Sequence, residues 1–251
     1  MRLPTGPGVR VDTGMGVGDV IPPQYDSMIA KVIAWGRDRD EALGRLRRLR
    51  GEALVALPGG RSPVPVFERL VGAEIDWSRV TIIPTDDRLV PATNPLSNIA
   101  MIGRHFLPRG ARVLSIVVDG TADYHSAGEA ADAQLADLQW PPDLVWLGVG
   151  ADGHTASIFP GPDLEDALDG PESRRAVGLM PDPLPPDAPV ARVTLSRAAI
   201  LSARALLLAF SGAEKRAVVE RAIKDGPLSP TPIGRVLAKA EGSINIHWSA
   251  T

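Results

Sequence analysis

The sequence predicts an α/β fold in which helices cover both faces of a mostly parallel β-sheet. Short apolar runs, closed mostly by Gly, Pro or Asp, alternate with segments whose apolar residues recur three and four positions apart. The first pattern is typical of buried strands and the second of amphipathic helices. Strands and helices in this order form parallel sheets, whose ligands bind at the carboxyl ends of the strands.

The predicted strands lie in six apolar runs, at 52–60, 79–87, 111–120, 142–150, 189–196 and 203–212. The segments with helical spacing are PVPVFERLVG, NPLSNIAMIGRHFL, HSAGEAADAQLADLQ and AEKRAVVERAIKDG. Residues 163–189 are rich in Pro and acidic side chains, so we expect them to form a long surface excursion that serves as a rim near the cleft.

Composition narrows the class of protein. A net charge of -3 supplies no basic field for nucleic acid or an anionic membrane, so a small-molecule partner is expected. The chain has no cysteine, which excludes disulfides, thiol nucleophiles and thiolate metal sites. It shows neither a signal segment nor the roughly 18 uninterrupted apolar residues of a membrane span. We therefore expect a globular protein of the cytoplasm.

The first strand end that could carry chemistry is LPGGRSP. Gly59 and Gly60 allow backbone N–H groups to turn toward a ligand, and Ser62 can cap the following helix. Such a turn can hold a phosphate at a helix N-terminus. An ordinary strand-to-helix turn explains the same residues equally well.

The second strand end is PTDDRLVP. Asp86 and Asp87 follow an apolar run, and Arg88 offers a planar, permanently charged fork that suits phosphate or carboxylate. Taken alone, this cluster is also typical of a surface turn with a local ion pair.

The third strand end is LGVGADGHTASIFPG. Gly148 and Gly150 permit a tight exit from the strand, and Asp152 and Gly153 continue the turn to His154. A neutral imidazole in this position can take a proton from water. The alternative is a histidine that is hydrogen-bonded within the loop for structural reasons.

The fourth strand end is FSGAEKR. Lys215 lies near the start of a predicted helix, where the helix dipole would assist anion binding, although an ordinary surface lysine would look the same. All four ends belong to predicted strands of one sheet and could converge in one cleft. The other histidines are expected to be packed or solvated: His105, His125 and His247.

These segments, in this order across residues 53–248, resemble the signature segments of 6-phosphogluconolactonases. The resemblance implies a three-layer α/β/α, Rossmann-like fold shared with glucosamine-6-phosphate deaminase and ribose-5-phosphate isomerase. It implies hydrolysis of 6-phosphogluconolactone to 6-phosphogluconate in the pentose phosphate pathway. The DGHTASIFP form is similar to the lactonase branch, because deaminases continue differently after Asp-Gly-His.

The resemblance also implies residue roles. His154 would be the general base that activates water, with Asp152 and Asp86 orienting it and the sugar hydroxyls. Arg88 and Arg192 would bind the phosphate or the developing negative charge, as would Lys215. The remaining implied substrate- or phosphate-binding residues are Gly59, Gly60, Arg61, Ser62 and Asn98. No metal or cofactor is implied, the partner would be a sugar-phosphate lactone, and we expect a monomer.

Two positions depart from the family pattern. Pro58 stands where the family has serine, which removes a hydroxyl and a backbone N–H and predicts weaker substrate binding. Asp87 stands in place of glutamate, a shortening by one methylene that we expect to be mild, since the flanking residues carry the implied roles.

The N-terminal residues 6–50 instead resemble a fragment of the C-terminal region of biotin carboxylase, with the family's GVRVD arginine at Arg10. The rest of that enzyme is absent, so no carboxylation is expected. We expect a fusion with an appendage at 1–38 and a catalytic domain at 39–251, in which Arg39 to Arg50 replaces the first lactonase helix. Two other functions stay open: a hexosamine-phosphate deaminase or isomerase, and a non-catalytic sugar-phosphate binder or inert fusion product.

Overall fold

The structure is a computed structural model that describes residues 9–13, 30–34, 51–121 and 123–250. The chain divides into two compact units, Met1–Ala53 and Leu54–Thr251. In the first unit, strands β1 (Val9–Thr13) and β2 (Ala30–Ala34) form an antiparallel pair. The expected helix at 39–50 and most of the expected appendage lie outside the described residues, so that boundary stays a prediction.

A six-stranded sheet forms the centre of the second unit, in the order β11-β10-β7-β3-β4-β6. The pairings of β10 with β11 and β7, of β3 with β7, and of β4 with β6 are parallel. Its strands are β3 (Ala53–Leu57), β4 (Val80–Pro84), β6 (Arg112–Val113), β7 (Leu144–Leu147), β10 (Ala205–Ser211) and β11 (Ile244–Ser249).

A second, antiparallel sheet contains β5 (Asp86–Arg88), β9 (Arg192–Leu195) and β8 (Ala176–Leu179), with β9 at its centre. The expectation that all the apolar runs share one sheet was therefore wrong for β9 and for the end of the second run. The chain leaves the central sheet at the buried Thr85, whose N–H donates to the Leu57 carbonyl while its carbonyl accepts from the Leu195 N–H, each at 2.9 Å.

Seven helices lie among the described residues. Four were predicted: α1 (Val64–Leu70), α2 (Asn98–Phe106), α3 (Tyr124–Ala136) and α6 (Ala213–Asp225). Three short ones were not: α4 (Leu164–Asp169), α5 (Arg197–Leu201) and α7 (Pro232–Leu237). No helix within the described ranges is long and apolar enough to cross a membrane.

Two apolar cores lie on opposite faces of the central sheet. Because side chains alternate along a strand, Val145 and Leu147 of β7 join one core while Trp146 joins the other. Helices α3 to α7 contribute to the first core, and α1 and α2 contribute to the second. This arrangement confirms the predicted three-layer fold with a mostly parallel sheet.

The stretch expected to be a surface excursion, 163–189, is only partly one. It contains α4 and the wholly buried strand β8 before it reaches the cleft at 182–188. Two glycines make this burial possible: a Cβ on Gly178 would lie 1.6 Å from the Tyr124 carbonyl oxygen, and one on Gly128 would lie 2.0 Å from the Gly178 nitrogen. The rim therefore begins later than the composition indicates.

Candidate active site

The four predicted strand ends meet in one cleft of about 780 Å³ within the second unit. It lies beyond the carboxyl ends of β3, β7 and β10, where a parallel sheet is expected to bind ligands. All of the predicted site residues line it: Gly59, Gly60, Arg61, Ser62, Asp86, Arg88, Asn98, Asp152, His154, Arg192 and Lys215.

His154 and Asp152 form a hydrogen-bonded pair, which we call the base end of the cleft. The His154 Nδ1 lies 2.6 Å from Asp152 Oδ1, and the His154 backbone N–H donates to the same oxygen at 3.2 Å. Burial would raise the pKa of Asp152, but its hydrogen bonds to His154 and the histidine's charge outweigh burial and lower it. An ionised Asp152 accepts a hydrogen bond from a protonated Nδ1, which leaves the lone pair on Nε2 available.

The backbone before His154 folds into a tight loop that two hydrogen bonds close. The Gly150 N–H donates to the His154 carbonyl at 2.9 Å, and the Gly153 N–H donates to the Gly150 carbonyl at 3.0 Å. Gly153 has a φ of 81°, a conformation that glycine adopts without strain. The glycines of this motif therefore let the loop fold back so that an acid and a histidine two positions apart can pair.

Asp86 lies beneath this loop rather than against the histidine ring. Its carboxylate accepts from the Thr85 hydroxyl at 3.1 Å and from the Ser157 hydroxyl at 2.6 Å. The Ser157 N–H in turn donates to Thr194 Oγ1 at 3.2 Å. The partner of His154 is thus Asp152, and Asp86 acts on the loop through Ser157, a residue that the sequence reasoning missed.

Asp87 is almost wholly buried and caps helix α2. Its carboxylate accepts backbone N–H groups from Arg88 at 2.8 Å, Asn98 at 2.6 Å and Ile99 at 2.9 Å. Burial raises the pKa of Asp87 even though these hydrogen bonds act in the opposite direction. The middle residue of the Asp-Asp-Arg motif thus holds β5 to the start of α2.

Arg88 and Arg192 stand directly opposite each other on strands β5 and β9, and we call this pair the anion end of the cleft. The ion pairs among the described residues involve other arginines or His154. Like charges opposed across two strands are destabilising, and the charges of Asp86 and Asp87 act on Arg192 in the opposite direction to the charge of Arg88. The arrangement is therefore suited to hold an anion.

Both guanidinium groups are fixed by the protein. Arg88 Nη1 donates to the Leu96 carbonyl at 3.0 Å and to the side-chain oxygen of Asn98. Arg192, only 2% exposed, donates to the carbonyls of Ala188 at 2.7 Å and Val190 at 2.6 Å. Burial, followed by the charge of Arg88, lowers the pKa of Arg192 to about 10, so the group keeps its proton at neutral pH.

Asn98 connects the glycine turn to the anion end. Its side-chain N–H donates to the Asp86 carbonyl at 2.7 Å, while its oxygen accepts from Arg88. A Cβ on Gly59 would lie 1.9 Å from that oxygen, so glycine is required for the close approach. The amide implied to bind substrate therefore has protein partners at both of its ends.

The opposite wall of the cleft contains Lys215, near the start of α6, and residues of β11. Trp248 donates from Nε1 to the Gly212 carbonyl at 3.0 Å and stacks under Arg216 at 4.5 Å. His247 is exposed on β11 and lines the cleft, whereas His105 packs against Phe67, as expected. No group of three or more His, Asp or Glu side chains in the described segments could hold a metal ion.

The family profile described as "Glucosamine-6-phosphate isomerases/6-phosphogluconolactonase" matches residues 31–248. The chain belongs to this family of enzymes. The match begins inside the segment expected to be an appendage.

Individual relatives are named 6-phosphogluconolactonase. One from Pseudomonas aeruginosa is 37% identical over 216 residues, which cover 83% of this chain and 87% of the relative. One from Pseudomonas putida is 34% identical over 244 residues, which cover 94% of this chain and 98% of the relative.

Solved structures agree. A 6-phosphogluconolactonase from Shewanella baltica matches with a TM-score of 0.72 and 32% identity, over 83% of this chain and 88% of that one. A 6-phosphogluconolactonase from Trypanosoma brucei matches with a TM-score of 0.64 and 30% identity, over 78% of this chain and 82% of that one. A monomeric glucosamine-6-phosphate deaminase, 16% identical with a TM-score of 0.64, shares the fold.

Proposed function

We propose that this chain hydrolyses 6-phospho-D-glucono-1,5-lactone to 6-phospho-D-gluconate, a step of the pentose phosphate pathway. The observation that carries the proposal is one cleft with a histidine–carboxylate pair at its base end and two opposed arginines at its anion end. Neither arginine forms a direct ion pair with a carboxylate of the described residues. A sugar lactone that carries a phosphate at its far end would place its electrophilic carbonyl carbon at the base end and its phosphate dianion at the anion end. The names of the relatives point to the same substrate.

In the proposed reaction His154 Nε2 takes a proton from water while the water oxygen attacks the lactone carbonyl carbon. Asp152 holds the Nδ1 proton and stabilises the imidazolium that forms, because its carboxylate remains ionised. The tetrahedral oxyanion then collapses, the bond from the carbonyl carbon to the ring oxygen breaks, and that oxygen takes the proton from Nε2. General-base catalysis of this kind contributes about a hundred- to ten-thousandfold.

The phosphate is proposed to bind at the anion end. Arg192 keeps its proton at neutral pH, and the fixed guanidinium forks of Arg88 and Arg192 suit phosphate oxygens. Lys215 and the Gly59–Gly60 turn line the same cleft, and we propose that they contact the phosphate from the neighbouring strand ends. All of these residues belong to the second unit of one chain, which supports a monomeric enzyme. The lack of cysteine suits the cytoplasm.

The test is a lactonase assay of the purified full chain, with 6-phosphogluconate dehydrogenase as the coupling enzyme and spontaneous hydrolysis subtracted. The full chain should accelerate loss of the lactone, and it should release no ammonia from glucosamine 6-phosphate. Calorimetric titration with 6-phosphogluconate is run beside it. Binding without turnover would leave a sugar-phosphate binder, and ammonia release without lactone loss would leave a deaminase.

A further inference from the structure

The His154 ring is held on one face as well as at Nδ1. The ring of Phe159 lies 4.1 Å from the imidazole, centroid to centroid, at an interplanar angle of 25°. Both residues line the cleft, and the partly buried Phe159 packs against the apolar core that contains Val145 and Leu147. The stacked arrangement therefore connects the half-buried histidine to the apolar core.

A local hairpin produces this stack. Thr155 and Ile158 form an antiparallel bridge, and the Ile158 N–H donates to the Thr155 carbonyl at 2.9 Å. Positions 154 and 159 flank that bridge and are brought side by side. The turn requires Ala156 at a φ of 49°, an unusual conformation for a residue other than glycine, and such strain tends to occur at functional sites.

Gly150 provides the space in which the pair fits. A Cβ at this position would lie 2.3 Å from both Cε1 and Nδ1 of His154 and 2.4 Å from Asp152 Oδ1. Gly150 has an ordinary backbone conformation, so its lack of a side chain matters for space and not for φ. The backbone at Gly150 and the ring of Phe159 thus both confine the imidazole.

We propose that Phe159 is a positioning residue for the proposed base His154, which it keeps in one orientation with Nε2 facing the cleft, and that the gap at Gly150 admits the oriented pair. The inference rests on the proposed function for its catalytic consequence. A hydrogen bond to Asp152 fixes one ring atom but leaves the ring free to tilt about it. The stacked aromatic ring removes that freedom before substrate binds.

The experiment compares Phe159→Leu, which keeps an apolar side chain but loses the stack, with Phe159→Tyr, which keeps the stack. Phe159→Leu should lower kcat about 10- to 100-fold and change KM less than about twofold, because a misplaced catalytic group loses rate and not ground-state affinity. Phe159→Tyr should restore most of kcat. Gly150→Ala should lower kcat similarly, and Gly242→Ala, whose Cβ would meet open space, serves as the matched control.

A spectroscopic measurement makes the test independent of turnover. The chain has four histidines, so the Hε1 signal of His154 can be assigned as the one that disappears in His154→Gln. The ring current of a stacked Phe159 should displace this signal, and the displacement should vanish in Phe159→Leu and persist in Phe159→Tyr. Thermal unfolding of each variant identifies any that is not folded at the assay temperature.

Each outcome has one meaning. If folded Phe159→Leu keeps the wild-type kcat, or if its His154 signal does not move, Phe159 does not position the base. A kcat loss that Phe159→Tyr fails to restore would also overturn the inference. If the wild-type chain has no lactonase activity while the His154 signal behaves as expected, the proposed function fails and the stacking itself stands.

Discussion

The base end and the anion end of the cleft are built in opposite ways. His154 and Asp152 are two positions apart, and the side chains of the pair are 30% and 54% exposed. Arg88 and Arg192 come from distant parts of the chain, meet across two strands and are anchored to backbone carbonyls. A short loop can therefore supply a proton acceptor, whereas two like charges can be held together only by a folded scaffold.

The largest effect is expected from a substitution that removes the proposed base and leaves the anion end intact. His154→Gln should lower kcat about a hundred- to ten-thousandfold, because a general base of this kind supplies a factor of that size. Binding of 6-phosphogluconate should stay within about twofold of wild type, since the anion end is intact. The measurements are the coupled assay and calorimetric titration. A variant with the full wild-type rate would refute the mechanism.

A substitution at the anion end should weaken substrate binding. Arg88→Gln removes a charged donor, and a hydrogen bond to a charged group is worth about 1.5–3 kcal/mol, so KM should rise roughly 10- to 100-fold. Inorganic phosphate should raise the melting temperature of wild type but much less that of Arg88→Gln.

The matched control for Arg88→Gln is Arg79→Gln, at an exposed arginine that pairs with Asp76 outside the cleft lining. It should leave both KM and the phosphate response unchanged. An Arg88→Gln variant with wild-type KM would mean that the phosphate binds elsewhere.

A third variant tests the support of the anion end. Asp87→Ala leaves buried N–H groups at the start of α2 without an acceptor, so the free energy of unfolding should fall by about 1–3 kcal/mol in urea denaturation. Asp76→Ala, at an exposed cap, should cost less. Asp87→Glu should change both KM and the free energy of unfolding only slightly. Equal losses at positions 76 and 87 would show that burial of the cap is unimportant.

The smallest expected effect is on stability at low pH and comes from an ion pair outside the cleft lining. The pKa of the exposed Glu165 is lowered from 4.5 to about 2, first by hydrogen bonds from Arg235, then by a hydrogen bond with Asp169 and by the charges of Arg235 and Arg197. Because its pKa is lower in the folded state, the ionised Glu165 stabilises the fold at pH values above its ordinary pKa. This stabilisation is lost as the pH falls from 4.5 toward 2. Melting temperature should therefore decline less steeply over this range in Glu165→Gln, and added salt should shrink the difference. Identical slopes would mean that the ion pair contributes nothing.

The sequence predicted the central features well where they depend on local pattern. The glycine turn at Gly59, the Asp-Asp-Arg motif and the loop of His154 were each placed at strand ends and do meet in one cleft. Strand β5 could not be assigned to its own sheet, because three residues after Thr85 read as the continuation of β4. The contact of Ser157 with Asp86 and the stacking of Phe159 on His154 were missed, because the first joins residues far apart in the chain and the second depends on a turn at Ala156.

The order of apolar runs and glycine-rich strand ends, by itself, determined the layered fold and the sheet edge at which the cleft lies, and it led to His154 as the proposed base. These follow from periodicity and backbone freedom, which are properties of neighbouring residues. Only the tertiary structure decided that Arg88 faces Arg192 and that Asp87 caps α2. Pairing across strands and burial depend on residues far apart in the chain, and local sequence carries no record of which of them will meet.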